Sequence, residues 1–182
     1  MAWDGDAYQE RFDQLASGGS DVHGEAQLVR RHVPRSVLDA GCGTGRVAIE
    51  LADHGIEVVG VDVDPSMLET ARRRAPGIEW VHADLAVLDL GRRFDVVVMA
   101  GNVVLFTDPG TEGAVVGSCA RHLAPGATLL AGFQLDRSYG VADYDEHCAA
   151  AGLVLVDRWS TWSQEPYPGD GGYAVSAHRW PA

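Results

Sequence analysis

One segment near the beginning of the chain, residues 37–51, constrains the fold more than any other. It reads VLDAGCGTGRVAIEL: a short apolar run ends in an acid, passes through three alternate glycines and continues with helically spaced apolar residues. That order predicts a β-strand, a tight glycine turn and an α-helix. Glycines also serve plain turns, but this arrangement is typical of a backbone that closely approaches a nucleoside-type ligand, because glycine has no Cβ.

The spacing of the glycines separates two classes of ligand. A dinucleotide turn has the pattern G-x-G-x-x-G, which requires a glycine at position 46, where this chain has Arg46. The pattern here is G-x-G-x-G, from Gly41 to Gly45, and Asp39 stands just before it. A carboxylate at that position would repel a pyrophosphate and attract a ligand that carries an ammonium and a sulfonium group. The charge therefore favours S-adenosylmethionine over NAD.

Length and composition predict one globular domain. The chain has 182 residues, of which 46% are hydrophobic and 22% charged, which is enough for one substantial core. No apolar run approaches the roughly 18 residues of a membrane span, and the start lacks the basic and apolar regions of a secretory signal. The three cysteines show neither paired spacing nor a zinc pattern, so we expect no metal site and a reducing, cytoplasmic location.

The charged residues exclude several functions. All fourteen basic residues are arginines, so the chain cannot supply the lysine of a P-loop, of a protein kinase or of a pyridoxal phosphate Schiff base. The formal net charge of −12 should repel phosphate backbones and anionic membranes. We therefore expect a small-molecule partner rather than a nucleic acid or a membrane, and the oligomeric state stays open.

Predicted strands and helices alternate along most of the chain, which indicates an α/β fold with a seven-stranded, mostly parallel sheet and helices on both faces. The last two strands have no helix between them and should form a C-terminal antiparallel hairpin. We expect a single domain, 1–182, in which an N-terminal helical lid segment, 1–33, covers the core, 34–182. The predicted strands are 36–40, 57–62, 78–82, 94–100, 127–134, 153–162 and 172–180, and the predicted helices are 4–17, 21–32, 45–54, 65–74, 111–122 and 141–151.

The order of these elements and the turn from Asp39 to Gly45 resemble the class I S-adenosylmethionine-dependent methyltransferases, over roughly residue 33 to the C-terminus. The resemblance implies a Rossmann-like sheet whose seventh strand lies antiparallel beside the fifth. It also implies an enzyme that uses S-adenosyl-L-methionine as methyl donor and releases S-adenosyl-L-homocysteine. The stretch 101–106, GNVVLF, is similar to that of the small, single-domain members that act on small molecules.

Candidates for holding the donor lie at the predicted carboxyl ends of the strands, where ligands of open α/β sheets bind. Asp62 ends the second strand and can accept hydrogen bonds from both ribose hydroxyls. The competing choice is Asp64, which precedes Pro65 and could instead cap the next helix. The resemblance implies that the glycine turn packs against the methionine part and the ribose, through Asp39, Gly41, Cys42, Gly43 and Gly45.

Further candidates surround the adenine and the methyl group. Val63 and Met67 are predicted to flank the adenine. The resemblance implies that Asp84 receives the adenine amino group and that Leu85 offers its backbone N–H, although Asp84 could also cap a helix. The candidates next to the methyl group, after the fourth strand, are Ala100 and Asn102.

No fixed catalytic residue is predicted, because methyl transfer from a sulfonium needs a protein base only when the nucleophile starts protonated. The candidates are His23 and Asn102. His23 could instead have a capping or surface role, and Asn102 could instead satisfy only the loop backbone. Tyr8 is predicted to cover the donor from the first helix, with helix packing as the alternative. Arg46 could pair with the carboxylate of the donor or with Glu25.

Three rival functions remain open from the sequence. They are an NAD-dependent oxidoreductase, a domain that binds S-adenosylmethionine as a regulatory or partner subunit, and an enzyme that uses S-adenosylmethionine for chemistry other than methylation. Aromatic residues crowd the predicted C-terminal hairpin, and they either pack within the sheet or face an apolar substrate. These residues are Trp159, Trp162, Tyr167, Tyr173 and Trp180.

Overall fold

Seven β-strands form one sheet in the computed structural model, which describes residues 5–6, 9–10, 24–135 and 138–181. The strands are β1 (Ser36–Ala40), β2 (Glu57–Asp62), β3 (Glu79–His82), β4 (Phe94–Met99), β5 (Leu123–Gln134), β6 (Val154–Trp159) and β7 (Tyr173–Arg179). The helices are α1 (Gly24–Arg31), α2 (Arg46–Asp53), α3 (Pro65–Arg74), α4 (Glu112–Arg121) and α5 (Val141–Ala150), with short 3₁₀-helices at Leu85–Val87 and Val103–Leu105. The described residues before α1 are also helical.

The strand order places a crevice at the carboxyl end of β1. The order across the sheet is β3-β2-β1-β4-β5-β7-β6. β1 pairs in parallel with β2 on one side and with β4 on the other, so the direction of winding reverses at this strand. Ligands of open α/β sheets bind at such a switch point. β7 runs antiparallel between β5 and β6, which confirms the predicted hairpin and the place of the seventh strand.

Helices cover both faces of the sheet, as predicted, and each face has its own apolar core. On one face α1, α2 and α3 pack against the sheet through Leu28, Leu51 and Leu68. On the other face α4 and α5 pack through residues such as Val116 and Tyr144. The central strands are buried on both sides, which explains why β4 has a continuous apolar run instead of an alternating one.

Most predicted bounds agree with the structure, and β5 is the main exception. It begins at Leu123 rather than at residue 127, because Leu123 already pairs with Phe94 of β4. The register then shifts before Thr128 pairs with Val96, and Gly126 takes a φ of 76° within the shift. The Pro-Gly pair is therefore an irregularity inside the strand and not a turn before it.

β6 is also shorter than predicted and ends at Trp159 instead of residue 162. The chain turns back there, because the N–H of Ser160 donates to the carbonyl oxygen of Glu165 at 2.9 Å. Trp162 consequently follows the strand. No helix in the described part of the chain is long and apolar enough to cross a bilayer.

Trp80 in β3 packs the glycine turn onto the sheet. A Cβ on Gly60 of β2 would stand 2.4 Å from the indole ring, and a Cβ on Gly45 would stand 2.3 Å from it. The indole N–H donates to the carbonyl oxygen of Ala75 at 2.9 Å, which fixes the ring. Both glycines are therefore required by this contact, and one of them, Gly45, directly precedes α2.

Candidate active site

A cavity of about 510 Å³ opens at the carboxyl ends of β1 to β4. That volume lies within the roughly 300–1,000 Å³ that is typical of small-molecule sites. Five stretches of chain border it: the start of α1, the end of β1 with the glycine turn and the start of α2, the end of β2 with the start of α3, the residues after β3, and the loop after β4. The parallel sheet thus collects residues that are far apart in the sequence.

The glycine turn is held against β2 and against the loop after β4. Gly41 and Gly43 have φ of 79° and 53°, which glycine adopts without strain. The N–H groups of Gly41 and Cys42 both donate to the carbonyl oxygen of Val61, at 2.8 and 2.9 Å. A Cβ on Gly41 would stand 2.5 Å from the side chain of Val103. Glycine at position 41 is therefore required by the close approach of the loop.

Asp62 and Asp64 both border the cavity, but they have different partners. Asp62 accepts hydrogen bonds from the N–H of Gly43 at 2.7 Å and from that of Asp64 at 2.9 Å. Burial raises the pKa of Asp62, and these backbone hydrogen bonds oppose the rise. Asp64 caps α3, since its Oδ1 accepts from Ser66 and Met67 at 2.8 and 3.2 Å. Asp62 is therefore the better placed of the two for a ribose.

Asp39 is buried at the end of β1 and borders the cavity. It is only 2% exposed, and its Oδ2 accepts a hydrogen bond from the N–H of Ala48 at 3.1 Å. Desolvation raises the pKa of Asp39 to about 7, although the positive charge of Arg46 opposes the rise. A cation in the cavity would favour the ionised form of this carboxyl.

Asp84 and Leu85 follow β3 and border the cavity. Asp84 Oδ1 accepts a hydrogen bond from the N–H of Ala86 at 2.8 Å and so caps the first 3₁₀-helix. Val63, after β2, and Met67, in α3, also border the cavity, and Val63 is exposed whereas Met67 is buried. Apolar side chains beside a carboxylate suit an adenine, which has a flat face and a polar edge.

Arg46 forms a bidentate ion pair with Glu25. Nη1 donates to Oε2 at 2.9 Å and Nη2 donates to Oε1 at 2.6 Å. The pair joins the first residue of α2 to the start of α1, and both residues border the cavity. Of the two partners proposed for Arg46, the structure therefore contains Glu25.

Comparison with known proteins agrees with this geometry. A family model described as a methyltransferase domain matches residues 37–126. A solved structure of a TehB-like S-adenosylmethionine-dependent methyltransferase from Corynebacterium glutamicum is 31% identical, with a TM-score of 0.90 over 96% of each chain. The chain belongs to the class I S-adenosylmethionine-dependent methyltransferases.

Several curated relatives of this chain come from Streptomyces. It is 36% identical over 165 residues to a dTDP-3-amino-3,6-dideoxy-alpha-D-glucopyranose N,N-dimethyltransferase from Streptomyces fradiae, covering 87% of this chain and 54% of the relative. It is 37% identical over 127 residues to a cypemycin N-terminal methyltransferase from Streptomyces sp, covering 66% of this chain and 52% of the relative. The chain therefore spans about half the length of these curated relatives.

The charges on the cavity wall of this methyltransferase suit a cationic donor. Among the described residues, the wall carries six acids and one arginine, and that arginine is paired with an acid. S-adenosylmethionine carries a sulfonium and an ammonium against one carboxylate, so an excess of acid attracts it. The residues present therefore fit the donor. The six acids are Glu25, Asp39, Asp62, Asp64, Asp84 and Asp108.

Most of the residues predicted to hold the donor border this one cavity, which brings together five separate stretches of the sequence. Cys42 does so mainly through its backbone, because its side chain is buried and burial raises the pKa of its thiol. The predicted residues on the wall are Asp39, Gly41, Cys42, Gly43, Asp62, Val63, Met67, Asp84, Leu85 and Ala100.

Two of the residues predicted to hold the donor, Gly45 and Asn102, are not among the described residues that border the cavity. Gly45 is needed for its contact with Trp80, described above. Asn102 has a φ of 68°, and its Oδ1 accepts a hydrogen bond from the N–H of Gln134 at 2.8 Å. Its side chain therefore ties the loop after β4 to the end of β5, which is the loop-backbone role given as its alternative.

Other predictions fall elsewhere in the molecule. Tyr8 and His23 lie outside the described residues. Trp162 packs over Gly132 of β5 and donates from Nε1 to the hydroxyl of Tyr173 at 3.1 Å. Neither aromatic residue borders the cavity, so packing within the sheet accounts for both.

The loop after β4 supplies wall residues that the sequence analysis did not single out. Val103, Phe106, Thr107, Asp108 and Thr111 all border the cavity. Phe106 is 66% exposed, which is unusual for a large apolar side chain beside a ligand cavity. Val103 and Phe106 lie in the stretch 101–106 that carries part of the family resemblance, but neither was assigned to the wall from the sequence. Thr107, Asp108 and Thr111 were not named individually as candidates.

Proposed function

We propose that this chain transfers a methyl group from S-adenosylmethionine to a small-molecule acceptor by in-line displacement. The observation that carries the proposal is the acid-lined cavity at the carboxyl ends of β1 to β4, bordered by the glycine turn and Asp62. The family relationship supports the donor, and the cavity volume of about 510 Å³ supports an acceptor of small size.

Each part of the donor has candidate partners on the wall. Asp62 would accept hydrogen bonds from the ribose hydroxyls, and Asp84 would accept one from the adenine amino group. Val63 and Met67 would lie against the adenine. Asp39 would face the positive charges of the methionine part. The bound donor supplies a methyl group that the positive sulfur already activates.

The residues of the chain contribute chiefly by holding the reactants in line. Fixed alignment of reactants can supply up to roughly 7–11 kcal/mol of the lowering of a barrier. Ala100, directly after β4, has a small side chain that leaves room beside the sulfur. The loop that follows it would exclude water from the far side. We assign no protein base, and His23 stays a candidate for that role.

The acceptor is proposed to be a small molecule rather than a nucleic acid or a membrane lipid. The net charge of −12 opposes binding to a phosphate backbone. Two curated relatives are named as an amino-sugar N,N-dimethyltransferase and as a cypemycin N-terminal methyltransferase, which supports a nitrogen acceptor. Phe106 and Thr107, on the loop after β4, are proposed to face the acceptor.

The N-terminal segment, 1–33, is proposed to act as a lid within a single domain. Support comes from the hydrogen bond that the Thr44 hydroxyl donates to Gln9 Oε1 at 2.7 Å, beside the glycine turn. Glu25 also borders the cavity from this segment. A cytoplasmic location stays part of the proposal, and the three buried, unpaired cysteines suit a reducing compartment.

Titration calorimetry with S-adenosylhomocysteine and with NAD tests the donor. We expect S-adenosylhomocysteine to bind one molecule per chain and NAD to give no heat of binding. Incubation with S-adenosylmethionine and a panel of small amines should then release S-adenosylhomocysteine. Tight binding of NAD without any binding of S-adenosylhomocysteine would contradict the proposal.

A further inference from the structure

The ion pair between Arg46 and Glu25 is placed on the wall of the donor cavity rather than on the outer surface. Each of the two side chains is only 15% exposed, and both nitrogens of the guanidinium fork engage the carboxylate. Removing two charges from water offsets much of their attraction, so such a pair is a poor device for stability alone. Its place on the cavity wall calls for a functional explanation.

The order of the strands indicates which end of the donor this pair faces. Asp84 follows β3 and Asp62 ends β2, so the proposed nucleoside contacts lie on one side of β1. Arg46 begins α2, directly after the glycine turn that follows β1. The charges of Arg46 and Glu25 both act on Asp39 of β1. With the nucleoside over β2 and β3, the methionine part extends over β1 toward the pair.

We propose that the Arg46–Glu25 pair recognises the α-amino-acid end of the donor, with Arg46 binding its carboxylate and Glu25 its ammonium. The inference rests on S-adenosylmethionine as the donor. A planar guanidinium that holds one carboxylate through two parallel N–H groups can hold another in the same geometry. The zwitterion carries the two charges that complement the pair, so every charge keeps an opposite partner after binding.

This exchange of partners explains why the wall can hold an arginine among so many acids. In the structure, the carboxylate of Glu25 neutralises the guanidinium of Arg46. When the donor is bound, its carboxylate and its ammonium join Arg46 and Glu25, so that four charges of alternating sign lie together. α1 carries Glu25 and packs against α2, so the pair also links donor binding to the helix that borders the cavity.

Two ligands that differ only at the amino-acid end test this inference. S-adenosylhomocysteine has that end, whereas 5′-methylthioadenosine keeps the nucleoside and the sulfur but lacks it. Calorimetry should show that Arg46→Gln lowers the affinity for S-adenosylhomocysteine by about tenfold or more. The affinity for 5′-methylthioadenosine should change by less than about threefold. Arg46→Lys keeps the charge without the fork and should give an intermediate ratio.

Arg158→Gln is the matched control. It removes another bidentate pair, in which Arg158 donates to Asp145 at 3.1 and 2.5 Å, away from the cavity. This variant should leave the ratio of the two affinities unchanged. The inference is overturned if Arg46→Gln weakens the binding of both ligands equally. If Arg46→Gln does not fold, an unchanged ratio of the two affinities in Arg46→Lys overturns it. Wild-type binding of S-adenosylhomocysteine tests the donor separately, so the proposed function can stand when this inference fails.

Discussion

At the scale of single residues, the site depends on carboxyl groups that the fold has partly removed from water. Asp62 is held by two backbone N–H groups, and Asp39 is buried at the end of β1. The hydrogen bonds that the described residues donate to these two carboxyls come from backbone N–H groups, so each carboxyl can still serve a ligand. Substitution of the two carboxyls should have different effects, because Asp62 is proposed to accept hydrogen bonds from the donor and Asp39 to balance its positive charge.

Asp62→Ala should weaken binding of S-adenosylhomocysteine by about tenfold or more, because a charged bidentate acceptor is lost. Asp64→Ala is the matched control. It removes the cap of α3 and should lower the free energy of unfolding by about 1 kcal/mol, with a smaller effect on affinity. Calorimetry and urea unfolding measure the two effects. A larger loss of affinity in Asp64→Ala than in Asp62→Ala would reassign the ribose to Asp64.

Binding of S-adenosylmethionine should strengthen as the pH rises to about 7 and then level off. Burial raises the pKa of Asp39 to about 7, so below that pH the donor must displace a proton to meet a carboxylate. Calorimetry in buffers of different ionisation enthalpy should detect proton release near pH 6. Asp39→Asn should bind more weakly and show no such release, and a wild-type affinity that is flat across this range would contradict the role of Asp39.

The same pKa has the opposite consequence for the stability of the ligand-free protein. The pKa of Asp39 is higher in the folded chain than its usual value of 3.8, so the folded state holds the proton more tightly. Its contribution to stability is complete below about pH 3.8 and is lost as the pH rises through about 7. Ionisation of Asp39 therefore opposes folding until a cation occupies the cavity.

At the scale of secondary-structure elements, the unit of β1, glycine turn and α2 depends on packing from β3. Trp80 occupies the space that side chains on Gly45 and Gly60 would need. A glycine inside a strand, as at position 60, often marks such a close approach. The glycine pattern that first indicates a ligand site therefore includes one glycine, Gly45, that serves the protein core.

Gly45→Ala should cost more folding free energy than Gly55→Ala. The two glycines have nearly equal φ, 81° and 79°, so each substitution should cost about 1–2 kcal/mol for the left-handed backbone. Only the Cβ at position 45 would meet the Trp80 ring, whereas nothing lies within 4 Å of the one at position 55. Overpacking should add about 1–3 kcal/mol. If urea unfolding shows that both variants lose the same free energy of unfolding, the Trp80 contact is not the reason for glycine at position 45.

The sequence predicted the elements better than it predicted long-range side-chain contacts. Strong local signals, such as Pro65 after Asp64, placed the start of α3 correctly. The role of Asn102 could not be read in the same way, because its partner, Gln134, is 32 residues away on another strand. The start of β5 was likewise hidden, since it depends on the pairing of Leu123 with Phe94 and not on the local Pro-Gly pair.

At the scale of the whole molecule, the order of the strands decides where charge accumulates. Winding outward from β1 in both directions leaves the ends of β1 to β4 next to one another. The acids at those ends come from separate stretches of the sequence and add to a net charge of −12. The result is a cavity that favours a cationic donor before any single hydrogen bond is considered.

The central claim is that this cavity holds S-adenosylmethionine with its sulfur facing the loop after β4. A crystal structure with S-adenosylhomocysteine tests it most directly. The ribose should lie on Asp62, the adenine between Met67 and Asp84, and the sulfur should lie near Ala100, with open space toward Phe106. Density for the ligand outside this cavity, or in it with the adenine at the Ala100 end, would contradict the claim.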